Sequence, residues 1–378
     1  MPAFRLVQRG RAAALLAALA LGASLLIVPA ATATATATGP VRPDHIFVIM
    51  MENHGFGEVI CTNPAASDCA TPHITTLAQR FGLATQYYGV THDSRPNYIA
   101  AISGNNWYLY DDANPSSPGI DHTNLVDQLQ GHGFSWAAYM ESLPAGWNQD
   151  NNWPSDTAKL YAPKHNPFAY FTDIRSSAAR MAMIKPLSKL STDLNGPHAP
   201  DFVWISPNQC HDMHGGVTTT VAAADGTPCP YDSTSTPGPA DFATRQKGDA
   251  FVAQMVTMIT TSKSWTGNSV IFVTWDEDDF ATTNVGCCNS PLLPPGANTE
   301  GFGDNWPAAG PTATSAVAGG GRVAMIVIAR HGVRGYTNAT PFNHYSLLKT
   351  IEDVWGLGEL GMATDSRQVN PLTMFLSH

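Results

Sequence analysis

Five short apolar runs punctuate the chain, at 45–51, 134–140, 201–206, 269–275 and 322–329. Each holds β-branched or aromatic residues and is bounded by Gly, Pro or polar residues, which predicts buried strands. Helical patterns lie between them. Residues 71–80 carry Pro72 near the start, 96–103 open on Pro96 and stop at Gly104, and 125–130 run up to Gly131 and Gly133. The longest pattern, 241–261, places Phe242, Phe251, Val252, Met255, Val256 and Ile259 at mostly helical spacing. Residues 343–355 put Leu347, Leu348, Ile351, Val354 and Trp355 on one face and end at Gly356. Strands alternating with helices predict an α/β fold: a mostly parallel central sheet with helices on both faces. Two stretches, 215–240 and 281–321, are rich in Gly, Pro and small polar residues and read as long surface loops, which at this length are usually functional or poorly ordered.

The first residues read as something other than fold. Arg5, Arg9 and Arg11 precede an apolar stretch from Ala12 to Ala30, and an Ala-Thr repeat follows to Gly39. This is the layout of a secretory signal, with cleavage expected near Ala37 or Thr38 and an uncleaved anchor as the alternative. Residues 1–38 are thus assigned to the signal and 39–378 to a single domain. A secreted, extracellular chain meets oxidising conditions, and the six cysteines suit that. Local loops favour Cys61–Cys69 and Cys210–Cys229, leaving the adjacent Cys287 and Cys288. A net charge of −10 argues against a nucleic-acid backbone as partner.

The strand ends carry the chemistry. Glu52 and Asn53 follow the first run directly, and Asp276-Glu277-Asp278-Asp279 follow the fourth. In open parallel sheets, sites lie beyond the carboxyl ends of the strands. Carboxylate and amide oxygens there suit a divalent cation, Ca, Mg, Mn or Zn. Between the two falls Thr91-His92-Asp93-Ser94-Arg95-Pro96-Asn97-Tyr98. Pro96 suits a first helical turn, so Ser94 is expected just outside a helix N-terminus, where free N–H groups hold phosphate oxygens. Ser94 is the nucleophile candidate and Thr91 the competing hydroxyl. Asn97 is a candidate donor to phosphate and His92 a candidate acid or donor. Asn208, His211, Asp212 and His214 follow the third run, and His344 opens the last helix, where it can face an anion. Tyr161, Phe168, Tyr170 and Phe171, with Trp147 and Trp153, form an aromatic-rich segment that reads as a polar pocket wall.

Met51-Glu52-Asn53-His54-Gly55-Phe56, the 91–98 segment, Pro207-Asn208 through Asp212-Met213-His214, Thr274-Trp275-Asp276-Glu277 and Asn343-His344-Tyr345-Ser346-Leu347-Leu348 occur together and in order. With them the chain resembles the phosphoesterase family of bacterial phospholipases C and secreted acid phosphatases, within the alkaline phosphatase-like superfamily. The resemblance implies a metal-dependent hydrolase working through a phosphoserine intermediate. It implies Glu52, Asn53, Asp276 and Glu277 as metal ligands and Ser94 as nucleophile and further ligand. His92, Asn97, His214 and His344 would stand on the phosphate side. Asp278-Asp279-Phe280 departs from the family's His or Asn followed by glycines, which leaves open which acid binds metal. A small phosphomonoester is the expected substrate. The alternatives are phospholipid head groups, as in a phospholipase C, and a non-catalytic secreted binding protein on the same fold.

Overall fold

The computed structural model describes residues 41–116, 118–147, 159–217, 228–230, 238–279, 285–291 and 319–376. All belong to one compact unit, Gly39–His378. The expected signal segment 1–38, Trp153 and most of both long loops lie outside the described residues. Among the described residues, nine strands form one sheet: β1 (Ile46–Met51), β2 (Gly82–Tyr88), β3 (Trp136–Met140), β4 (Ile184–Pro186), β5 (Phe202–Ser206), β6 (Val270–Trp275), β7 (Arg322–Ala329), β8 (Tyr336–Asn338) and β9 (Phe342–Asn343). Their order is β4-β3-β5-β1-β6-β7-β2-β8, with β9 also on β2.

The five predicted strands are all present. β1 and β6 are buried at every position. A strand covered on both faces needs an unbroken apolar run, and both sequences supply one. β1 lies between β5 and β6 and pairs parallel with each. β7 runs antiparallel to both β6 and β2. The double reversal leaves β2 parallel to β1, so β1, β2, β5 and β6 all end at one edge. The sequence pattern missed β2, β4, β8 and β9. β2 carries Thr85 and Gln86 at half-buried positions, so it has no continuous apolar run.

The longer helices are α1 (Pro72–Arg80), α2 (Ser94–Ser103), α3 (Leu125–Gly131), α4 (Pro239–Thr260) and α5 (His344–Trp355). α1 packs on α4, whereas α2 packs on α5 and α3. Every residue of α2 is buried. Cys61–Cys69, Cys210–Cys229 and Cys287–Cys288 are paired as expected. No helix among the described residues is long and apolar enough to cross a membrane.

α5 buries one carboxyl group unfavourably. Glu352 Oε1 accepts from Leu360 N at 2.9 Å. Its Oε2 and Gln128 Oε1 are both buried without a hydrogen-bond partner among the described residues. Burial pushes the Glu352 carboxyl up to about 8. The folded state therefore keeps a proton that the unfolded chain releases near the ordinary Glu value, so this group costs stability progressively as pH rises towards 8. Glu352→Gln keeps one acceptor and adds a donor for Gln128 Oε1. Thermal melts should show the variant gaining midpoint over the parent at pH 8.5 and little or nothing at pH 4.5. A gain of equal size at both pH values would remove the titration from the explanation.

Candidate active site

Main-chain bonds stitch the strand ends together. Glu52 N donates to Asp212 O at 2.8 Å, joining the end of β1 to the loop after β5. Asn53 N donates to Asp276 Oδ1 at 3.1 Å, joining β1 to β6. Asn53 sits at φ 48°, a left-handed conformation Asn tolerates better than most residues. His54 Nδ1 donates to Glu52 O at 3.0 Å and its Nε2 to Asp241 Oδ1 at 2.9 Å on α4. Both ring nitrogens thus act as donors. Burial opposes that charge, but the Asp241 bond overrides it and raises the His54 pKa.

α2 begins at Ser94 itself, with Asp93 as its N-cap. Ser94 is therefore the first helical residue rather than lying outside the helix, and Pro96 sits third. Ser94 Oγ lies 3.0 Å from Glu52 Oε2 and 3.2 Å from Glu277 Oε1. Its one proton can serve either carboxylate. Glu52 and Glu277, far apart in sequence, thus meet on one hydroxyl because β1 and β6 are neighbours. His92 Nδ1 bonds the other Glu277 oxygen, Oε2, and its Nε2 lies 3.5 Å from Asp278 Oδ1. The Thr91 hydroxyl donates to His92 O at 2.9 Å within its own turn.

Asn97 stands elsewhere than expected. Its Oδ1 accepts from Val90 N and Thr91 N, at 2.7 and 3.1 Å. Its Nδ2 donates to Thr91 O and Asp93 O, at 2.6 and 3.0 Å. Those four bonds use the whole amide to hold the 90–93 turn, leaving no free N–H for phosphate. His344 likewise turns inward: Nε2 donates to Asp276 O and Nδ1 accepts from Tyr87 Oη at 3.1 Å. Burial pulls its pKa down to about 4, keeping the ring neutral. It braces the backbone of Asp276 rather than facing an anion.

Two residues not singled out from sequence complete the cluster, although the aromatic-rich segment that contains them was. His165 Nδ1 donates to Asp212 Oδ2 at 3.1 Å. Its Nε2 lies 3.3 Å from Glu52 Oε1, and neither atom has a hydrogen-bond partner among the described residues. Burial, helped by the Lys164 charge, holds His165 neutral, well below the usual histidine value. Two lone pairs therefore face each other, an arrangement that calls for a cation between them. Donor atoms of Glu52, His165 and His214 lie within 4.8 Å of one another. Asn53 Oδ1 and Asp276 Oδ2 are also buried without hydrogen-bond partners among the described residues. Lys164 Nζ pairs with Asp112 and lies 3.4 Å from His214 Nε2. The signal in the sequence was the Lys-His dipeptide inside an aromatic run.

Burial first, and the neighbouring Asp276 carboxylate next, push Glu52 and Glu277 well above the usual carboxylate range. Asp212 is also held well above it by burial. Burial lifts Asp276 to about 7. Several acids crowded in one dry site are costly without positive charge, and Lys164 is the one formal cation the electrostatics of Glu52, Asp212 and Asp276 share. The donor set of carboxylate, amide and imidazole fits a divalent metal. Gly321 supports the far side. It sits at φ +71°, and a Cβ there would fall 1.9 Å from the Asp278 carboxyl carbon.

The sequence model of the Phosphoesterase family matches residues 66–227 and 240–358. The chain belongs to that family. Ser94, His92, His165, Asp212, His214, Asp276, Glu277 and His344 of this phosphoesterase lie inside the matched segments, and Glu52 and Asn53 precede them. A probable acid phosphatase of Kluyveromyces lactis is 32% identical over 170 residues, which is 44% of this chain and 38% of that protein. The phosphoesterase thus spans well under half the length of that relative. A phosphatidylinositol-3-phosphatase of Mycobacterium tuberculosis is 24% identical over 87% of this chain and 82% of its own length. Among solved structures, a Vibrio parahaemolyticus protein of the alkaline phosphatase superfamily overlays with a TM-score of 0.49 at 12% identity, covering 85% of this chain and 71% of that one.

Proposed function

We propose that this phosphoesterase is a secreted, metal-dependent phosphomonoesterase of acid-phosphatase type, with Ser94 as nucleophile. One observation carries the reading: the buried Ser94 hydroxyl within hydrogen-bond reach of two carboxylates from adjacent strand ends, ringed by orphaned donor atoms. Residues 39–378 form the catalytic domain, preceded by a cleaved signal over 1–38.

Glu52, Asn53, Asp276, His165 and His214 would hold the cation, with Glu277 and Ser94 at its margin. Imidazole in that set favours Zn over Ca, Mg or Mn. The bound metal would polarise a phosphate oxygen and lower the Ser94 pKa. Glu277 or Glu52 accepts the Ser94 proton as Oγ forms its bond to phosphorus and the bond to the leaving alcohol breaks. His92 holds Glu277 in place through Oε2. Lys164 adds positive charge where phosphate oxygens develop negative charge. Water then cleaves the phosphoserine, regenerating Ser94 and releasing orthophosphate, with net retention at phosphorus.

The described surface supports a soluble substrate. Its exposed large apolar residues, Tyr108, Val285, Tyr336 and Met362, fall at widely separated chain positions, and the net charge is negative. Initial rates on an aryl phosphate and on dispersed phosphatidylcholine, measured with one preparation, test this. Orthophosphate from the aryl ester should appear faster than any diacylglycerol. A clear preference for the lipid would move the assignment to a phospholipase C.

A further inference from the structure

A cavity of about 430 Å3 opens beside the nucleophile cluster. Asp112, Lys164 and His214 belong to both, while Asn114, Lys159 and Gln209 belong to the cavity alone. Ala162 is the one apolar side chain among the described residues that line it. Amides and charges on such walls suit a hydroxylated, charged guest and offer little to an acyl chain.

The charges do not cancel. Asp112 is taken up by Lys164. The His214 ring lies against Lys164, its Nε2 3.4 Å from Lys164 Nζ. Among the described residues of the lining, Lys159 is left as the positive charge without an acidic partner, in a chain whose net charge is −10. Its side chain is exposed, but its root is fixed. Gln209 Nε2 donates to Lys159 O at 2.6 Å and Gln209 N donates to Leu160 O at 2.9 Å. Leu160 is buried against Cys210, Val217 and Cys229, and those cysteines are bonded to each other. The backbone that carries the Lys159 ammonium is thus fixed at the cavity wall, and the exposed side chain reaches over the cavity from there.

We propose that this cavity receives the alcohol part of the substrate and that Lys159 selects leaving groups bearing a second anionic group, a carboxylate or a second phosphate, a few bonds from the scissile ester. The inference rests on the phosphomonoesterase reading and narrows its substrate class. Glycerol phosphate and phosphoglycerate, esterified at the same terminal carbon, test it, since they differ chiefly by a hydroxymethyl against a carboxylate. At low salt the parent enzyme should favour phosphoglycerate in kcat/KM by roughly two- to fivefold, the scale of an exposed ion pair. Added salt should erode that ratio. Lys159→Ala should bring it near one, Lys159→Glu should invert it, and Lys159→Arg should keep it. A ratio near one in the parent, or one unchanged in Lys159→Ala, overturns the proposal while leaving the hydrolase reading intact. If neither ester is cleaved while an aryl phosphate is, this proposal falls alone; if none of the three is cleaved, the hydrolase reading falls and takes this one with it.

Discussion

Ser94→Ala lowers turnover of an aryl phosphate by at least about a thousandfold, the scale on which loss of a nucleophile is felt. The fold should survive, because the change removes one hydroxyl from the first residue of a fully buried helix and keeps its backbone. Circular dichroism and the melting midpoint check that part. Thr91→Ala is the control. The Thr91 hydroxyl only closes its own turn, through His92 O. Its removal should cost no more than a few-fold in rate. Near-normal turnover in Ser94→Ala together with a dead Thr91→Ala would transfer the nucleophile to Thr91. Trapping settles the same point independently: a phosphorylated peptide from an acid-quenched reaction should map to Ser94.

The second large effect is expected from the metal. Exhaustive chelation should reduce activity by at least about a hundredfold, with recovery on adding Zn. Glu52→Gln should lose bound metal and activity together, because Glu52 Oε1 faces His165 Nε2 and its Oε2 faces Ser94. Stability gives a separate readout. A cation that binds only the folded chain raises the melting midpoint. Ligands must shed their protons to bind it, so the rise should be larger at pH 7.5 than at pH 5. Full activity in protein shown by elemental analysis to be metal-free would remove the metal from the mechanism. A metal-induced midpoint shift retained in Glu52→Gln would remove Glu52 from the ligand set.

The strand ends were legible because their physics is local. An unbroken apolar run followed by Glu-Asn or Asp-Glu announces both a buried strand and what it delivers. Ser94 was legible from Pro96, although the helix begins two residues before that proline. What could not be read is what depends on packing. Asn97 has the chemistry of a phosphate donor, yet four backbone groups of the 90–93 turn consume it. His344 opens a helix, yet its ring is turned to the carbonyl of Asp276. His165 looked like one more scattered histidine. Its importance comes from Asp212, 47 residues away, and from Glu52, neither adjacent in sequence. Half-buried strands such as β2 were missed for a related reason, since their pairing partners rather than their own residues make them strands.

The central place of β1 has a consequence during synthesis. β1 is the earliest of the described strands to leave the ribosome, and it reads Ile-Phe-Val-Ile-Met-Met. Its neighbours, which start at Phe202 and Val270, come far later in the chain. Until Phe202–Ser206 emerges, an uncharged, proline-free hexapeptide of high β-propensity has no native partner on either edge. Such segments self-associate readily. Recombinant yield should therefore depend more on holdase chaperones and slow expression than on the stability of the finished enzyme. The strand that delivers Glu52 to the site is also the segment most exposed to aggregation on the way there.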